Sequence, residues 1–246
     1  MIARGARSPF GGNPILILFV VLLLFNIRSV EAILSQAVND PIHFWSFIVA
    51  VVLGITVHEF MHAYVAHSLG DDTARLLGRM TLNPLAHLDL LGSLFLLLVR
   101  FGYGKPVPVN EARLRGSFSI SAVSLAGPVT NLVLATICAI PLRFGTTDVL
   151  GGVYTIVLSS IVVYNCLLFV FNLIPIPPLD GSRVVYGLLP PRQQYSWRSY
   201  EQYGPFILLA VLFLLPSMGI NVLGPLVQVP AAALVRLLLG SGGLSF

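Results

Sequence analysis

Residues 43–67 read HFWSFIVAVVLGITVHEFMHAYVAH, an apolar run of the length that crosses a bilayer as one α-helix. Ionisable side chains are costly inside a membrane, yet His58, Glu59 and His62 all lie in this run. Because residues four apart in a helix project from the same face, the two imidazoles can bind one metal ion. Glu59 is one residue further along, where it can act on a water beside the metal. The stretch therefore predicts a transmembrane helix that carries a metal centre.

The composition of the whole chain is that of a membrane protein. Of the 246 residues, 56% are hydrophobic and 10% are charged, against about 25% charged in soluble domains. We expect a single integral membrane domain over residues 1–246, with the core that carries the metal centre at about 43–190. Thirteen of the 14 basic residues are Arg, and they are scattered through connecting segments, so we expect no nucleic-acid partner. We expect the protein to be embedded in the lipid bilayer.

Six apolar runs predict an all-α polytopic membrane protein with about six transmembrane helices. The runs are 14–35, 43–67, 117–142, 152–174, 205–223 and 225–240. If the N-terminus lies inside, the inner segments hold twelve of the 14 Lys and Arg residues, and the outer segments hold only Arg28 and Arg143. The positive-inside rule favours this orientation.

Two stretches allow alternative interpretations. The apolar segment 89–99 is about half the length of a span, so we expect a re-entrant hairpin over 89–110 rather than a seventh crossing. Residues 14–35 are either a span or part of a cleaved signal peptide, because Arg residues precede the apolar core and the triplet Val30-Glu31-Ala32 follows it.

His58, Glu59 and His62 form the H-E-x-x-H arrangement of zinc metallopeptidases. A catalytic zinc ion needs a third protein ligand, and Asp180 is the candidate. It follows an apolar helix and a Pro-rich break in YNCLLFVFNLIPIPPLDGSRVVYG, residues 164–187. Asp180-Gly181 alone would suggest an ordinary turn. The predicted topology, however, brings Asp180 to the inner side of the membrane together with residues 58–62. We therefore predict that it joins the two histidines.

The paired motifs HEFMH and FNLIPIPPLDG resemble the site-2 protease family of intramembrane zinc metalloproteases. Three further stretches, LGRMTLNPLAHLDLLGSL (77–94), GKPVPVN (104–110) and SLAGPVTN (124–131), add to the resemblance. It covers about residues 50–190 and is similar to the bacterial branch, without an inserted PDZ or a fused CBS domain.

The resemblance implies a role for each matching residue. One Zn²⁺ per chain would be held by His58, His62 and Asp180, with Glu59 as the catalytic base. Two asparagines correspond to family residues that hydrogen-bond the substrate or the intermediate near the metal: Asn172 and Asn131. Asn172 also sits where it could simply cap a helix end.

The implied activity is hydrolysis of peptide bonds within or near the transmembrane segments of single-span membrane proteins, as in regulated intramembrane proteolysis. We expect a multi-pass protein of the bacterial cell membrane with the active site towards the cytoplasm. An unwound substrate could pair with the extended, proline-limited segment GKPVPVN. The candidate substrate-binding residues there are Pro106, Val107, Pro108 and Val109, and the alternative is a plain connecting loop.

Two other classes of function remain open from the residues. A zinc transporter would need a second metal motif in a partner helix, and a non-catalytic membrane binding protein would not need Glu59. We expect structural roles for the remaining polar residues near the motif: His67 at the interface, His87 and Asp89 as caps of the re-entrant segment, and Asp71 and Asp72 in a solvated loop.

Overall fold

The computed structural model describes residue 31 and residues 35–89, 104–145 and 151–240. Within these ranges the chain is helical, and no β-strand occurs beyond one isolated antiparallel bridge between Leu88 and Gly104. The all-α fold class is therefore confirmed. Almost all of the predicted segment 14–35, and all but the first residue of 89–99, lie outside the described residues.

The helices follow one another as α1 (Pro41–Ser68), α2 (Thr73–Leu76), α3 (Ser119–Arg143), α4 (Gly152–Asn172), α5 (Asp180–Leu188), α6 (Pro191–Glu201), α7 (Gly204–Leu209), α8 (Leu215–Ser217) and α9 (Val229–Leu239). π-Helical turns precede α8 and α9, at Ala210–Leu214 and Gly224–Gln228. Short 3-10 turns form at Pro84–Ala86 and Glu111–Arg113.

Among the described helices, α1, α3 and α4 are long and apolar enough to cross a membrane. Their ends fall within two residues of the predicted runs 43–67, 117–142 and 152–174. The predicted runs 205–223 and 225–240 fold as the shorter apolar stretches Gly204–Ser217 and Gly224–Leu239. The total of six spans stays a prediction.

Contacts between the long helices give their relative directions. The ring of Phe47 near the start of α1 packs on Tyr164, and Asp180, beyond the end of α4, reaches His62 near the end of α1. Helices α1 and α4 are therefore parallel. Helix α3 is antiparallel to both, because His58 contacts Asn131 while His62 contacts the earlier Val123. These directions agree with the predicted topology.

Small side chains let α3, α4 and α9 approach closely in the core. The buried residues of this cluster include Ala135, Ala139, Val162, Cys166, Ala231 and Val235. The opposite faces carry exposed apolar side chains at helical spacing, such as Trp45, Val49 and Leu53 on α1 and Val129, Val133 and Ile137 on α3. Contiguous exposed apolar faces of this kind suit helices that lie against lipid.

Candidate active site

Helix α1 places two histidines one turn apart and aims both rings at the same point. The Nε2 atoms of His58 and His62 lie 3.0 Å apart, and the rings meet edge to face at 84°. Both residues are buried, because this part of α1 packs against α3 and α4. The buried position means that a further ligand must come from an element packed against this part of the bundle.

Asp180 completes the group from the first turn of α5. Its Oδ2 lies 2.9 Å from Nε2 of His58 and 3.3 Å from Nε2 of His62. Gly181 makes this approach possible, since a Cβ there would lie 2.3 Å from the carbonyl oxygen of Leu173 at the end of α4. The Asp-Gly pair thus folds α5 back on α4 and brings the carboxylate to α1.

The donor atoms of this group fit a zinc ion. Nδ1 of His58 faces the side-chain oxygen of Asn131 at 2.6 Å, and Nδ1 of His62 faces the carbonyl oxygen of Val123 at 2.7 Å. Each Nδ1 therefore donates a hydrogen bond, which leaves the Nε2 lone pair for a metal in the neutral ring. Ligands about 2.0–2.1 Å from a tetrahedral zinc lie about 3.3 Å from one another, close to the separations here.

Gly127 of α3 leaves the space next to both Nε2 atoms free of a side chain. A Cβ at this position would lie 2.5 Å from Nε2 of both His58 and His62. Helix α3 can therefore pack closely against the two histidines only because this residue is glycine.

Glu59 lies beside the metal-ligand group without belonging to it. Among the described residues, the side chains that converge closely enough to hold one ion are His58, His62 and Asp180. The Oε2 atom of Glu59 instead accepts a hydrogen bond of 3.0 Å from the backbone N–H of Val107. The structure thus separates the ligand set from the predicted base, and brings the base next to the predicted substrate-binding segment.

The beginning of the segment 104–110 is fixed by a buried cation. The N–H of Lys105 donates to the carbonyl oxygen of His87 over 2.7 Å. The guanidinium of Arg79, which is 8% exposed, donates to the carbonyl of Lys105 and, at 3.4 Å, to that of Pro106. These contacts hold the segment against the side of α1 that carries Glu59.

Asp71 fixes the other end of the segment, and the expectation of a solvated loop is wrong for this residue. Its side chain has no solvent exposure, and Oδ2 accepts the N–H of Asn110 over 2.6 Å. Burial alone would raise the pKa of Asp71, but hydrogen bonds from Thr73 and Asn110, with the charge of Arg113, hold that pKa below its usual value. Asp72, by contrast, is partly exposed and pairs with His67 at 2.6 Å.

The two asparagines predicted from the resemblance occupy different places. Asn172 lines the cavity beside Asp180, and its amide donates to the carbonyl of Leu168 in the preceding turn of α4. Asn131 is completely buried behind His58, and both ends of its amide have partners. Their roles towards a substrate stay predictions, and the geometry of Asn131 points to the metal ligand instead.

A cavity of about 870 Å³ opens onto the metal-ligand group. Its walls are mainly apolar and come from α1, α4, the segment 104–110 and the chain after α6. They include the candidate substrate-binding residues Pro106, Val107, Pro108 and Val109. The cavity runs along α1 from the metal site as far as Phe47, so it extends well into the apolar part of the molecule.

Three residues that shape the site were not found from the sequence: Gly127, Arg79 and Asn165. Gly127 lies in the quoted stretch SLAGPVTN, but the pattern does not show that this residue packs against both histidines. In the sequence Arg79 is one of several scattered basic residues, and only the structure shows its hydrogen bonds to the segment 104–110. Asn165 stands in an apolar run, and an amide inside a predicted span is itself a sign of function.

Comparisons with known proteins point to one family. The model for "Peptidase family M50" matches residues 147–215, a range that includes Asn172 and Asp180. The protein named "Putative zinc metalloprotease YwhC" from Bacillus subtilis (strain 168) is 38% identical over 201 residues, which is 77% of this chain and 89% of that protein.

Two further relatives extend the similarity. "Putative zinc metalloprotease Rip2" from Mycolicibacterium smegmatis is 30% identical over 213 residues, 81% of each chain. "Zinc metalloprotease MJ0392" from Methanocaldococcus jannaschii is 24% identical over 207 residues, 82% of this chain and 52% of that protein. No solved structure gives a significant match to this chain.

Proposed function

The chain belongs to peptidase family M50, the site-2 protease family, and from that premise we propose that it cleaves single-span membrane proteins within or next to their transmembrane segments. It is a zinc metalloendopeptidase and an integral membrane protein. We further propose that this cleavage serves regulated intramembrane proteolysis. The observation that carries the proposal is the position of the ligand group and Glu59 on an apolar cavity between α1 and α4.

The chemistry follows from the side chains around that cavity. When bound by His58, His62 and Asp180, zinc supplies Lewis-acid chemistry that activates water and polarises the scissile carbonyl. Glu59 takes the proton that the attacking water loses and delivers it to the nitrogen of the leaving strand. The amide of Asn172 donates a hydrogen bond to the carbonyl oxygen as negative charge develops on it.

The shape and lining of the cavity support a transmembrane substrate. Phe47, Val51 and Ile55 continue the cavity along α1 away from the metal site, and Leu167 and Phe171 of α4 face them. A polar side chain would lose its hydration there without compensation, whereas apolar side chains of a membrane segment would be as well accommodated as in lipid.

A transmembrane helix hides its carbonyls in internal hydrogen bonds, so it must unwind before attack, and the segment 104–110 can hold the unwound strand. In an extended chain, the N–H groups of Val107 and Val109 point to one edge, and on that edge the N–H of Val107 donates to Glu59. Pro106 and Pro108 leave the opposite edge without N–H donors. A substrate strand would therefore pair on the catalytic side.

Binding on that edge would also release the base. The N–H of Val107, which now donates to Glu59, would instead donate to a carbonyl of the substrate strand. The carboxylate of Glu59 would then be free to accept the proton of water. Substrate pairing and activation of the base are thus parts of one exchange of hydrogen bonds.

We place the site towards the cytoplasmic side of a bacterial cell membrane. Twelve of the 14 basic residues fall on that side of the predicted topology. Arg183 and Arg198, which follow Asp180 in the chain, pair with Glu111 at 3.2 Å and 3.0 Å. This cationic group lies at the end of the bundle where the metal site is found, as expected for the inner surface.

The test is cleavage in liposomes that contain the purified protein and a panel of tagged single-span segments. Fragment masses locate the cut bond, and Glu59→Gln is the matched inactive control. We expect cuts inside the apolar span that the wild type makes and Glu59→Gln does not. Cuts confined to extramembrane residues, still dependent on Glu59, would contradict the intramembrane position while leaving the metalloprotease activity intact.

A further inference from the structure

Asn165 lies in the middle of the bundle, remote from solvent and from any reacting atom. It and Asn131 have no solvent exposure, and neither is among the described residues that line the cavity. A buried amide in an apolar helix is unfavourable unless each polar atom is satisfied. Both amides meet that condition, and their hydrogen bonds determine which nitrogen of His58 carries the proton.

The orientation of Asn165 is set by two backbone carbonyls. Its Nδ2 donates to the carbonyl of Ile161 at 2.9 Å and lies 3.4 Å from that of Ala50. Carbonyl oxygens accept and cannot donate, so the NH₂ group must face them. The Oδ1 atom of Asn165 therefore points the other way, towards Asn131.

The orientation of Asn131 follows in the same way and determines the protonated nitrogen of His58. Nδ2 of Asn131 donates to Oδ1 of Asn165 at 2.8 Å and to the carbonyl of Gly54 at 3.1 Å. Its Oδ1 must then face Nδ1 of His58, 2.6 Å away. An oxygen at this position requires the proton on Nδ1, which leaves Nε2 of His58 free for the metal.

The other histidine shows why a second amide is needed. The Nδ1 of His62 donates directly to the carbonyl of Val123, whose orientation is fixed by helix α3. The acceptor of His58 is a side-chain amide, which can turn over and present its NH₂ group instead. Oδ1 of Asn165 and the carbonyl of Gly54 both accept from the NH₂ group of Asn131, and together they remove that freedom. Gly54 makes room for the pair, since a Cβ there would lie 2.7 Å from Oδ1 of Asn165.

From these contacts we infer that Asn165 is a positioning residue of the metal site, which acts through Asn131 to hold His58 with its proton on Nδ1 and its Nε2 towards zinc. The inference rests on the proposed role of His58 as a zinc ligand. It assigns function to a residue that contacts neither the metal ligands nor the substrate cavity. Loss of the direct hydrogen-bond partner of a ligand, which here is Asn131, weakens metal binding by about 10–100-fold, and we expect loss of Asn165 to reach the lower end of this range.

The test uses Asn165→Leu, which keeps the branched shape and the number of side-chain heavy atoms and removes the polarity, with Cys166→Ala as the control. Cys166 is the next residue of α4, equally buried, and belongs to the apolar cluster with α3 and α9. Zinc affinity is measured by competition with a chelator, and the hydrogen-bonded Nδ1–H proton of His58 by NMR of zinc-loaded, ¹⁵N-histidine-labelled protein. Asn131→Leu assigns that signal, because it removes the acceptor.

We expect Asn165→Leu to bind zinc at least about tenfold more weakly and to lose the protected Nδ1–H signal. Cys166→Ala should lower thermal stability while leaving both readouts unchanged. Wild-type zinc affinity and an unchanged Nδ1–H signal in Asn165→Leu would overturn the inference. If the leucine variant does not fold, zinc affinity and the Nδ1–H signal are measured on Asn165→Ala, and the same results support or overturn the inference. Neither readout involves cleavage, so a failure of the proposed proteolysis would be recognised separately.

Discussion

Replacing Gly127 by alanine should greatly weaken zinc binding without unfolding the helix bundle. The new Cβ would lie 2.5 Å from the Nε2 atoms of both His58 and His62, where ordinary van der Waals contact begins near 3.4 Å. Relief would require α3 to withdraw by about 1 Å. That movement would stretch the contacts of the histidines with Asn131 and Val123, now 2.6 Å and 2.7 Å, to the outer limit of a hydrogen bond.

The expected loss follows from those two contacts. Each outer hydrogen bond to a ligand is worth about 10–100-fold in metal affinity, so Gly127→Ala should weaken zinc binding at least about 100-fold, or about 2.7 kcal/mol. Alanine is otherwise favoured over glycine inside a helix by about 1 kcal/mol, so the metal-free protein should keep its fold. We expect zinc to raise the Tm of the wild type, and this rise should be much smaller in Gly127→Ala.

The assay is chelator competition together with melting curves with and without zinc. Gly152→Ala is the control, because a Cβ at the first residue of α4 meets nothing within 4 Å. It should bind zinc as the wild type does. Stoichiometric zinc in Gly127→Ala, with an affinity within threefold of the wild type, would refute the close approach of α3 to the metal.

Three other substitutions test separate parts of the site. Asn172→Ala should lower turnover by about 10²–10³ with zinc content and Tm nearly unchanged, and a large fall in Tm would instead assign the residue to capping α4. Asp71→Asn should destabilise the protein at neutral pH by about 1–3 kcal/mol, since an NH₂ group would face the N–H of Asn110. Because the folded-state pKa of Asp71 lies below the unfolded value, its stabilisation is present above about pH 4 and is lost as the pH falls through the folded pKa. The difference in Tm between Asp71→Asn and the wild type should therefore shrink on acidification, and a constant difference would exclude a charged Asp71. Val109→Pro should lower kcat/KM for a membrane substrate without changing zinc content, and unchanged kcat/KM would argue against strand pairing at this edge.

The fold was predictable wherever one helix or one motif carried the information. The apolar length of residues 43–67 predicted α1, and the spacing of His58 and His62 predicted that their rings would share a face. The charge distribution predicted that α1 and α4 are parallel, which is what brings Asp180 to the histidines. These features depend on local periodicity and on the membrane, both of which can be read from a sequence.

The parts that could not be predicted depend on packing between elements distant in the chain. Asp71 follows a helix end among polar residues, as a solvated acid would, and only the arrival of Asn110 buries it. Asn165 is a single polar residue in an apolar run, and its role can be inferred only when the positions of Asn131 and Gly54 are known. Periodicity indicates which face a residue occupies, but it does not say which atom of another helix that face will meet.

The central claim is that Glu59 serves as the base next to a zinc ion held by other residues. The most direct measurement is the cleavage rate of Glu59→Gln loaded with zinc to the same level as the wild type. Glutamine keeps the size and polarity of the side chain but cannot accept the proton, so the rate should fall by about 10² or more. Cleavage by zinc-loaded Glu59→Gln at a rate within a few-fold of the wild type would contradict the account.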